Sequence, residues 1–152
     1  MDRLAVVDDC LAFLLFSFSL PETLQTIAFF AWLKEARNLS GPHLVIVPLN
    51  VLDTWVAEVA HWCLSFRVVR YHGSEKARQR IHTEYVAPRL YDILVTTYET
   101  AVVASRYLST QQFCYVAIDE AHRCKNPQSK ISTVMRDYFL RHVSAAAAAA
   151  LE

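Results

Sequence analysis

The chain contains 152 residues, of which 54% are hydrophobic, and its fifteen basic residues balance its fifteen acidic ones. This length and composition predict one globular domain with its own hydrophobic core. They exclude a general electrostatic attraction to nucleic acid or to a membrane, because the net charge is zero and any such contact must come from a local patch.

The first apolar segment runs from Cys10 to Leu20 and is too short for a membrane span, which needs about 20 residues. The segment before it carries three aspartates and one arginine, whereas a signal peptide begins with net positive charge. We therefore interpret residues 1–18 as an atypical N-terminal strand or a foreign segment, and we expect no membrane association. The four cysteines show no CxxC spacing, which favours reduced thiols over disulfides or a zinc site.

Short apolar or β-branched runs alternate with helical patterns along the chain. Continuous hydrophobicity in these runs predicts strands covered on both faces, and the alternation predicts a parallel sheet with right-handed crossovers. The expected fold is α/β, a three-layer α-β-α sandwich. The predicted strands are LAFLLFSF, HLVIV, RVVRY, DILVTT and CYVAI, which end at Phe18, Val47, Tyr71, Thr97 and Ile118. The predicted helices are Glu22–Ala36, Leu52–Trp62, Ser74–Val86, Tyr98–Tyr107 and Gln128–Leu140.

In such a sheet the ligand site lies beyond the carboxyl ends of the strands. The strongest motif there is YVAIDEAHRCKN, in which a buried strand delivers the adjacent carboxylates of Asp119 and Glu120 to that edge. Asp119 suits Mg²⁺, which prefers oxygen ligands, and Glu120 suits the activation of an attacking water. Acidic pairs also end strands merely to cap the next helix, but the apolar strand before the motif and R-C-K-N after it favour the functional interpretation.

Two other strand ends carry polar groups. In PLNVLDTWVAEVAHW, Asn50 is expected to cap a helix whose apolar stripe belongs to the core, and the free N–H groups at the helix start could hold a nucleic-acid phosphate. The predicted stripe consists of Leu52, Trp55, Val59 and Trp62. The strand ILVTTYET ends in hydroxyl groups that could contact a phosphate backbone, although β-branched strand ends are common.

The order and spacing of five blocks resemble the first ATPase lobe of the Swi/Snf-type chromatin remodellers, a branch of the superfamily-two helicases with RecA-like folds. The imitation-switch and Swi/Snf branches are the most similar. The resemblance runs from about Thr23 to about Arg141 and implies a partial helicase ATP-binding lobe, a RecA-like P-loop NTPase lobe, over residues 19–143. The blocks are TLQTIAFFAWLKE, GPHLVIVPLNVLDTWVAEVAHW, RVVRYHG, YDILVTTYET and YVAIDEAHRCKNPQSK.

The resemblance also implies ligands and roles for individual residues. Asp119 and Glu120 would be the Mg²⁺ and water-activating carboxylates, and His122 would couple hydrolysis to motion. Thr23 would offer its hydroxyl to the Mg²⁺ of bound ATP. Double-stranded DNA would lie along Pro48, Leu49, Asn50, Thr96, Thr97 and Tyr98. The expected setting is a nucleosomal substrate in the nucleus.

The family's phosphate loop, G-L-G-K-T, corresponds here to Ser19, Leu20, Pro21, Glu22 and Thr23. Glycines let backbone N–H groups surround the phosphates and the lysine neutralises them, and both are absent. The proline lacks an N–H donor, and the glutamate reverses the charge. The same stretch reads S-x-x-E, a capping box that would satisfy the helix start internally. We expect that the helix is kept and the phosphate cradle is lost.

The family's third motif and its second lobe, with the arginines that complete the site, have no counterpart in the sequence, so the chain alone is predicted to bind and hydrolyse ATP poorly or not at all. One alternative is a non-catalytic DNA- or protein-binding module on a RecA-like scaffold, which would bind its partner without Mg·ATP. Another is an incomplete gene product. Residues 144–152 are an alanine-rich tail that resembles a cloning scar.

Overall fold

The structure is a computed structural model that describes residues 22–120, 130–134 and 136. The predicted first strand, LAFLLFSF, lies outside these residues. The helices are α1 (Glu22–Arg37), α2 (Leu52–Trp62), α3 (Glu75–Ile81), α4 (Tyr98–Val103) and α5 (Ser105–Leu108), with a 3-10 turn at Leu49–Val51 and a π-helical turn at His82–Val86. The strands are β1 (His43–Val47), β2 (Val68–Tyr71), β3 (Ile93–Thr97) and β4 (Tyr115–Ile118).

The four described strands form one parallel sheet in the order β2-β3-β1-β4. Every residue of β1 and β3 is buried, which confirms the prediction from their uninterrupted hydrophobicity. The neighbouring strands each expose one residue, Arg70 in β2 and Tyr115 in β4. All connections between the strands run through helices, as the alternating pattern predicted.

Helices cover both faces of the sheet, so the described part is the expected three-layer α-β-α sandwich. Successive side chains of a strand point to opposite faces, and β1 shows the consequence. Leu44 and Ile46 pack in the core cluster that includes residues of α4 and α5. Val45 and Val47 pack in a second cluster, on the other face, with residues of α1 and α2. None of the described helices has the length and apolarity that a bilayer crossing requires.

Two expectations about α2 were wrong. Asn50 does not cap this helix, because the chain first makes a 3-10 turn that contains Asn50, and Val51 occupies the cap position without a side-chain hydrogen bond. Trp62 does not belong to the core stripe. It is 58% exposed, and its indole N–H donates to Glu58, one turn earlier in the helix.

Two predicted helices differ in detail. The segment predicted as one helix over Tyr98–Tyr107 breaks at Ala104, whose dihedral angles (φ −95, ψ 12) are not helical, and continues as α5. The segment predicted over Ser74–Val86 starts as expected, because Ser74 accepts a hydrogen bond from the backbone N–H of Ala77. It then ends in a π-helical turn. Of the predicted helix Gln128–Leu140, the described residues 130–134 are helical.

Candidate active site at the carboxyl edge of the sheet

Asp119 and Glu120 lie where β4 ends, beside the end of β1. Because the strands are parallel, their carboxyl ends meet at one edge. The backbone N–H of Asp119 donates to the carbonyl of Ile46 over 2.9 Å, which extends the pairing of the two strands by one residue. Asp119 is half-buried and Glu120 is exposed. The sequence prediction that both carboxylates reach this edge is therefore met.

The carboxylate of Asp119 is held by an indole from α2. Trp55 Nε1 donates to Asp119 Oδ2 over 2.9 Å. The Trp55 side chain is only 3% exposed and packs in the same core cluster as Leu52 and Val59. A buried indole N–H usually needs a hydrogen-bond partner, and here the carboxylate supplies it.

The backbone of the same turn is held from the opposite face of the sheet. The hydroxyl of Tyr98 donates to the carbonyl of Asp119 and lies 3.2 Å from the carbonyl of Glu120. Tyr98 is fully buried in the first core cluster. Glu120 has a φ of +53, in the left-handed region that side chains other than glycine seldom adopt, so its backbone needs support from its surroundings. The tyrosine hydroxyl provides a contact of this kind.

The hydroxyl groups at the end of β3 are used inside the protein. Thr96 Oγ1 donates to the carbonyl of Tyr71 over 2.7 Å. Thr97 Oγ1 donates to Thr100 Oγ1 over 2.9 Å and accepts from the Thr100 backbone N–H over 3.2 Å, so that it caps α4. His72 Nδ1 lies 2.8 Å from Thr100 Oγ1. These hydroxyl groups therefore form hydrogen bonds within the protein that stabilise the end of β3 and the start of α4.

The predicted DNA-facing residues divide by exposure. Leu49 is 57% exposed and Asn50 is exposed, both in the turn between β1 and α2. The other four, Pro48, Thr96, Thr97 and Tyr98, are buried. The expectation that the hydroxyls of β3 face a phosphate backbone does not fit this arrangement. The DNA-binding role of the whole set stays a prediction.

The predicted phosphate loop is described only at its end. Glu22 begins α1, and Thr23 lies half-buried in the first turn. Ser19, Leu20, Pro21 and the capping box therefore remain predictions outside the described residues, as does His122.

The described donor atoms suit Mg²⁺. In the described part of the chain, no three His, Cys, Asp or Glu side chains form a metal-binding group. However, Mg²⁺ typically takes one or two carboxylates, with the remaining positions filled by water and phosphate. Asp119 has one oxygen bonded to Trp55, and its Oδ1 has no hydrogen-bond partner among the described residues. The carboxylates of Asp119 and Glu120 and the hydroxyl of Thr23 are all hard oxygen donors, and this chemistry fits the ion.

A cavity of about 360 Å³ lies elsewhere, between α3 and the α4–α5 pair. None of Asp119, Glu120 and Thr23 lines it, so it is separate from the carboxylate site. Its lining consists of Tyr71, Glu75, Arg78, Gln79, His82, Thr83, Val103, Ala104 and Tyr107.

Two residues of the site were missed by the sequence interpretation. Trp55 was assigned only to the core, and Tyr98 only to a DNA-facing strand end. The signal available in the sequence was the chemistry of the side chains, since a buried indole or phenol needs a polar partner. That signal does not identify the partner.

A parallel sheet covered on both faces, with a carboxylate pair at its carboxyl edge, defines an α/β lobe whose ligand site is expected at that edge. A family model described as "SNF2-related domain" matches residues 14–143. The chain belongs to this family. The match confirms the resemblance inferred from the sequence blocks.

The relatives are chromatin-remodelling proteins. The chain is 39% identical over 119 residues to human "SWI/SNF-related matrix-associated actin-dependent regulator of chromatin subfamily A member 1", covering 78% of this chain and 11% of the relative. It is 35% identical over 123 residues to the yeast (Saccharomyces cerevisiae) "ISWI chromatin-remodeling complex ATPase ISW2", covering 81% and 11%. The chain thus spans about a tenth of the length of these curated relatives.

A solved structure has the same fold. The "Sulfolobus solfataricus SWI2/SNF2 ATPase core in complex with dsDNA" superposes with a TM-score of 0.65 at 37% sequence identity. The similarity covers 76% of this chain and 23% of that chain. At this level of identity the likeness concerns sequence as well as fold.

Proposed function

We propose that this chain is the first ATPase lobe of an ATP-dependent DNA translocase of the chromatin-remodelling type, in which the phosphate loop is degenerate. It binds and hydrolyses ATP poorly or not at all. It acts in the nucleus on DNA or nucleosomes. The membership of the chain in a family of chromatin-remodelling ATPases supports the family part of this proposal.

The observation that carries the proposal is the turn at Asp119 and Glu120. Trp55 holds its carboxylate from one face of the sheet, and Tyr98 holds its backbone from the other. These contacts hold the carboxylate of Asp119 and the backbone of the turn in place, and such fixed geometry favours the activation of water beside a metal ion. In a lobe with an intact phosphate loop, Asp119 and Thr23 would hold Mg²⁺, Glu120 would activate the water, and His122 would couple hydrolysis to motion. Bound Mg²⁺ would neutralise charge on the nucleotide phosphates.

The loss of ATP affinity is argued from the sequence of the loop. Three of the residues at Ser19–Thr23 change the chemistry that phosphate binding needs, because Ser19 and Pro21 replace glycines and Glu22 replaces a lysine. A carboxylate at the lysine position repels the phosphates that the lysine would attract.

Equilibrium binding of a fluorescent ATP analogue with Mg²⁺ tests this part of the proposal. The native chain is compared with a variant that carries Ser19→Gly, Pro21→Gly and Glu22→Lys. We expect no binding by the native chain and measurable binding by the variant. Adding Asp119→Asn to the variant should remove the Mg²⁺ dependence. Micromolar binding by the native chain would contradict the proposal of a lost phosphate loop.

Double-stranded DNA is the proposed partner of the edge that carries the turn Leu49–Val51. In support, the solved relative is an ATPase core in complex with dsDNA, and Asn50 is exposed here. Asn50→Asp should weaken duplex binding several-fold, because it adds a negative charge near the phosphates. Gln112→Glu is the matched control. This variant adds the same charge at an exposed position that precedes the amino end of β4, whereas the proposed DNA-facing edge lies at the carboxyl ends of the strands. It should not change the affinity for duplex DNA.

The non-catalytic module remains the second candidate, and the degenerate loop favours it. The two candidates differ in nucleotide dependence. A lobe with residual ATPase function should change its duplex affinity when Mg·ATP is added. A binding module should bind equally well with and without nucleotide.

A further inference from the structure

We propose that Trp55 is a positioning residue, which holds the carboxylate of Asp119 so that Oδ1 is the oxygen presented to a divalent metal ion. This inference rests on the proposed metal role of Asp119. It assigns a function to a side chain that the sequence pattern places only in the core.

The geometry restricts the carboxylate at several points. The backbone N–H of Asp119 is bonded to Ile46, and its carbonyl accepts from Tyr98, so the main chain is held on two sides. The remaining freedom is rotation of the side chain. The bond from Trp55 Nε1 to Oδ2 opposes that rotation, because it is lost when the carboxylate turns.

The indole is itself held firmly. Trp55 is 3% exposed and belongs to a core cluster that also contains Val47 and Val95 from the sheet. A side chain buried in a close-packed core has few rotamers available. The donor is therefore fixed relative to the strands that end at the site, and it engages Oδ2 and not Oδ1 of Asp119.

The bond leaves one carboxylate oxygen for the metal. Mg²⁺ commonly binds one carboxylate oxygen and keeps several waters. A carboxylate that offers only Oδ1 suits this coordination. A hydrogen bond to the other oxygen orients the ligand, as partners of metal-bound side chains do in protein sites, and the loss of such partners typically weakens metal binding by 10- to 100-fold.

The chain contains a matched control for this pair. Trp62 Nε1 donates to Glu58 Oε2 over 2.6 Å, which is again an indole on a carboxylate. Trp62 is 58% exposed and lies at the far end of α2 from Leu52. Trp62→Phe removes the same chemistry away from the site, and Val59→Ala loosens the core cluster around Trp55 without touching Asp119.

The test uses Mn²⁺ alone, without nucleotide, because Mn²⁺ takes the same oxygen ligands as Mg²⁺ and is paramagnetic. Mn²⁺ affinity is measured by electron paramagnetic resonance for the native chain and four variants. We expect Asp119→Asn to abolish the site and Trp55→Phe to weaken it about tenfold. Trp62→Phe and Val59→Ala should bind Mn²⁺ as the native chain does. Equal affinity for Trp55→Phe and the native chain would overturn the proposal, as would an equal loss in Val59→Ala.

A second measurement needs no substitution of Trp55. The indole N–H resonances of the native chain are assigned from the spectra of Trp32→Phe and Trp62→Phe. Mn²⁺ should broaden the Trp55 resonance at lower concentration than the resonance of Trp62. If it does not, the metal is not bound beside Trp55 and the inference is wrong. Neither measurement involves ATP, so their failure is distinct from failure of the phosphate-loop proposal.

Discussion

The hydroxyl of Tyr98 donates a hydrogen bond to the backbone carbonyl of Asp119, across the end of the intervening strand β1. The two residues follow β3 and β4, which are not adjacent in the sheet. The buried hydroxyl of Tyr98 therefore connects the turn at Asp119 and Glu120 with the end of β3, on the other side of β1.

Tyr98→Phe should lower the free energy of unfolding by about 1–2 kcal/mol, because it leaves the Asp119 carbonyl without its donor. Urea denaturation followed by circular dichroism measures the change. Tyr91→Phe is the control, since Tyr91 lies in the same core cluster and its buried hydroxyl has no partner among the described residues. That variant should be neutral or slightly more stable. Equal losses in both would contradict the assigned role of the Tyr98 hydroxyl.

His43 should make stability depend on pH. Its imidazole is fully buried and stacks on Phe30, with ring centroids 4.4 Å apart. Burial lowers the pKa of His43 from 6.5 to about 4. Above pH 6.5 the residue is neutral in both states. Between pH 6.5 and 4 the unfolded chain binds a proton at this residue and the folded chain does not. The free energy of unfolding therefore decreases as the pH is lowered from 6.5 to 4, by up to about 3 kcal/mol.

This dependence is measured by urea denaturation at a series of pH values. His43→Leu should flatten the profile between pH 6.5 and 4, because no group at this position can then be protonated. His61→Gln is the control, because His61 is exposed, and it should keep the native slope. A His43→Leu profile parallel to the native one would show that His43 does not cause the decline.

Asp92 joins the starts of β2 and β3 by accepting hydrogen bonds from the backbone N–H of Arg67 over 2.7 Å and from its guanidinium. Burial alone would raise the pKa of Asp92, but these hydrogen bonds hold it below its ordinary value of 3.8. Its contribution is therefore present above that value and is lost as the pH falls through the lower, folded pKa.

Asp92→Asn should cost about 1 kcal/mol at neutral pH, the typical worth of one such hydrogen bond. The difference from the native chain should shrink in strong acid, and chemical denaturation at both pH values checks this. Glu84→Gln breaks the exposed pair between Arg80 and Glu84 and should change stability very little. If the stability lost in Asp92→Asn stays constant down to acid pH, the negative charge of Asp92 is not what stabilises the folded chain.

Gly41 should tolerate no side chain. Its φ is +113, and an added Cβ would lie 2.5 Å from the carbonyl oxygen of Asp92, a backbone atom that cannot move aside alone. Gly73 has a similar φ of +119, but its added Cβ would meet only Ala77 Cβ at 3.4 Å, an ordinary contact. Gly73→Ala should cost about 1–3 kcal/mol through backbone strain, and Gly41→Ala clearly more. Thermal unfolding of both variants measures the difference, and equal costs would contradict the predicted clash.

Local patterns predicted the elements that sequence alone can specify. HLVIV is a strand with the expected bounds, and the strand predicted as DILVTT begins one residue later, at Ile93. Both are fully buried, because a strand covered on both faces needs no alternation of polar residues. The position of Asp119 and Glu120 at the carboxyl edge follows from the strand that precedes them. Asn50 and Trp62 were misassigned because a cap and a core stripe also depend on how the helix starts and which neighbours cover it.

The sequence by itself determined the fold class and the place of the carboxylate pair, since these follow from the periodicity and order of its segments, and the resemblance of its sequence blocks indicated the family. Only the tertiary structure decided what holds the pair. Trp55 and Asp119 are 64 residues apart in the chain, and Tyr98 and Asp119 are 21 apart. The physical reason is that hydrogen bonds depend on distance and direction in space. Residues separated along the chain meet these conditions only when the sheet has assembled and the two helical layers have packed on it.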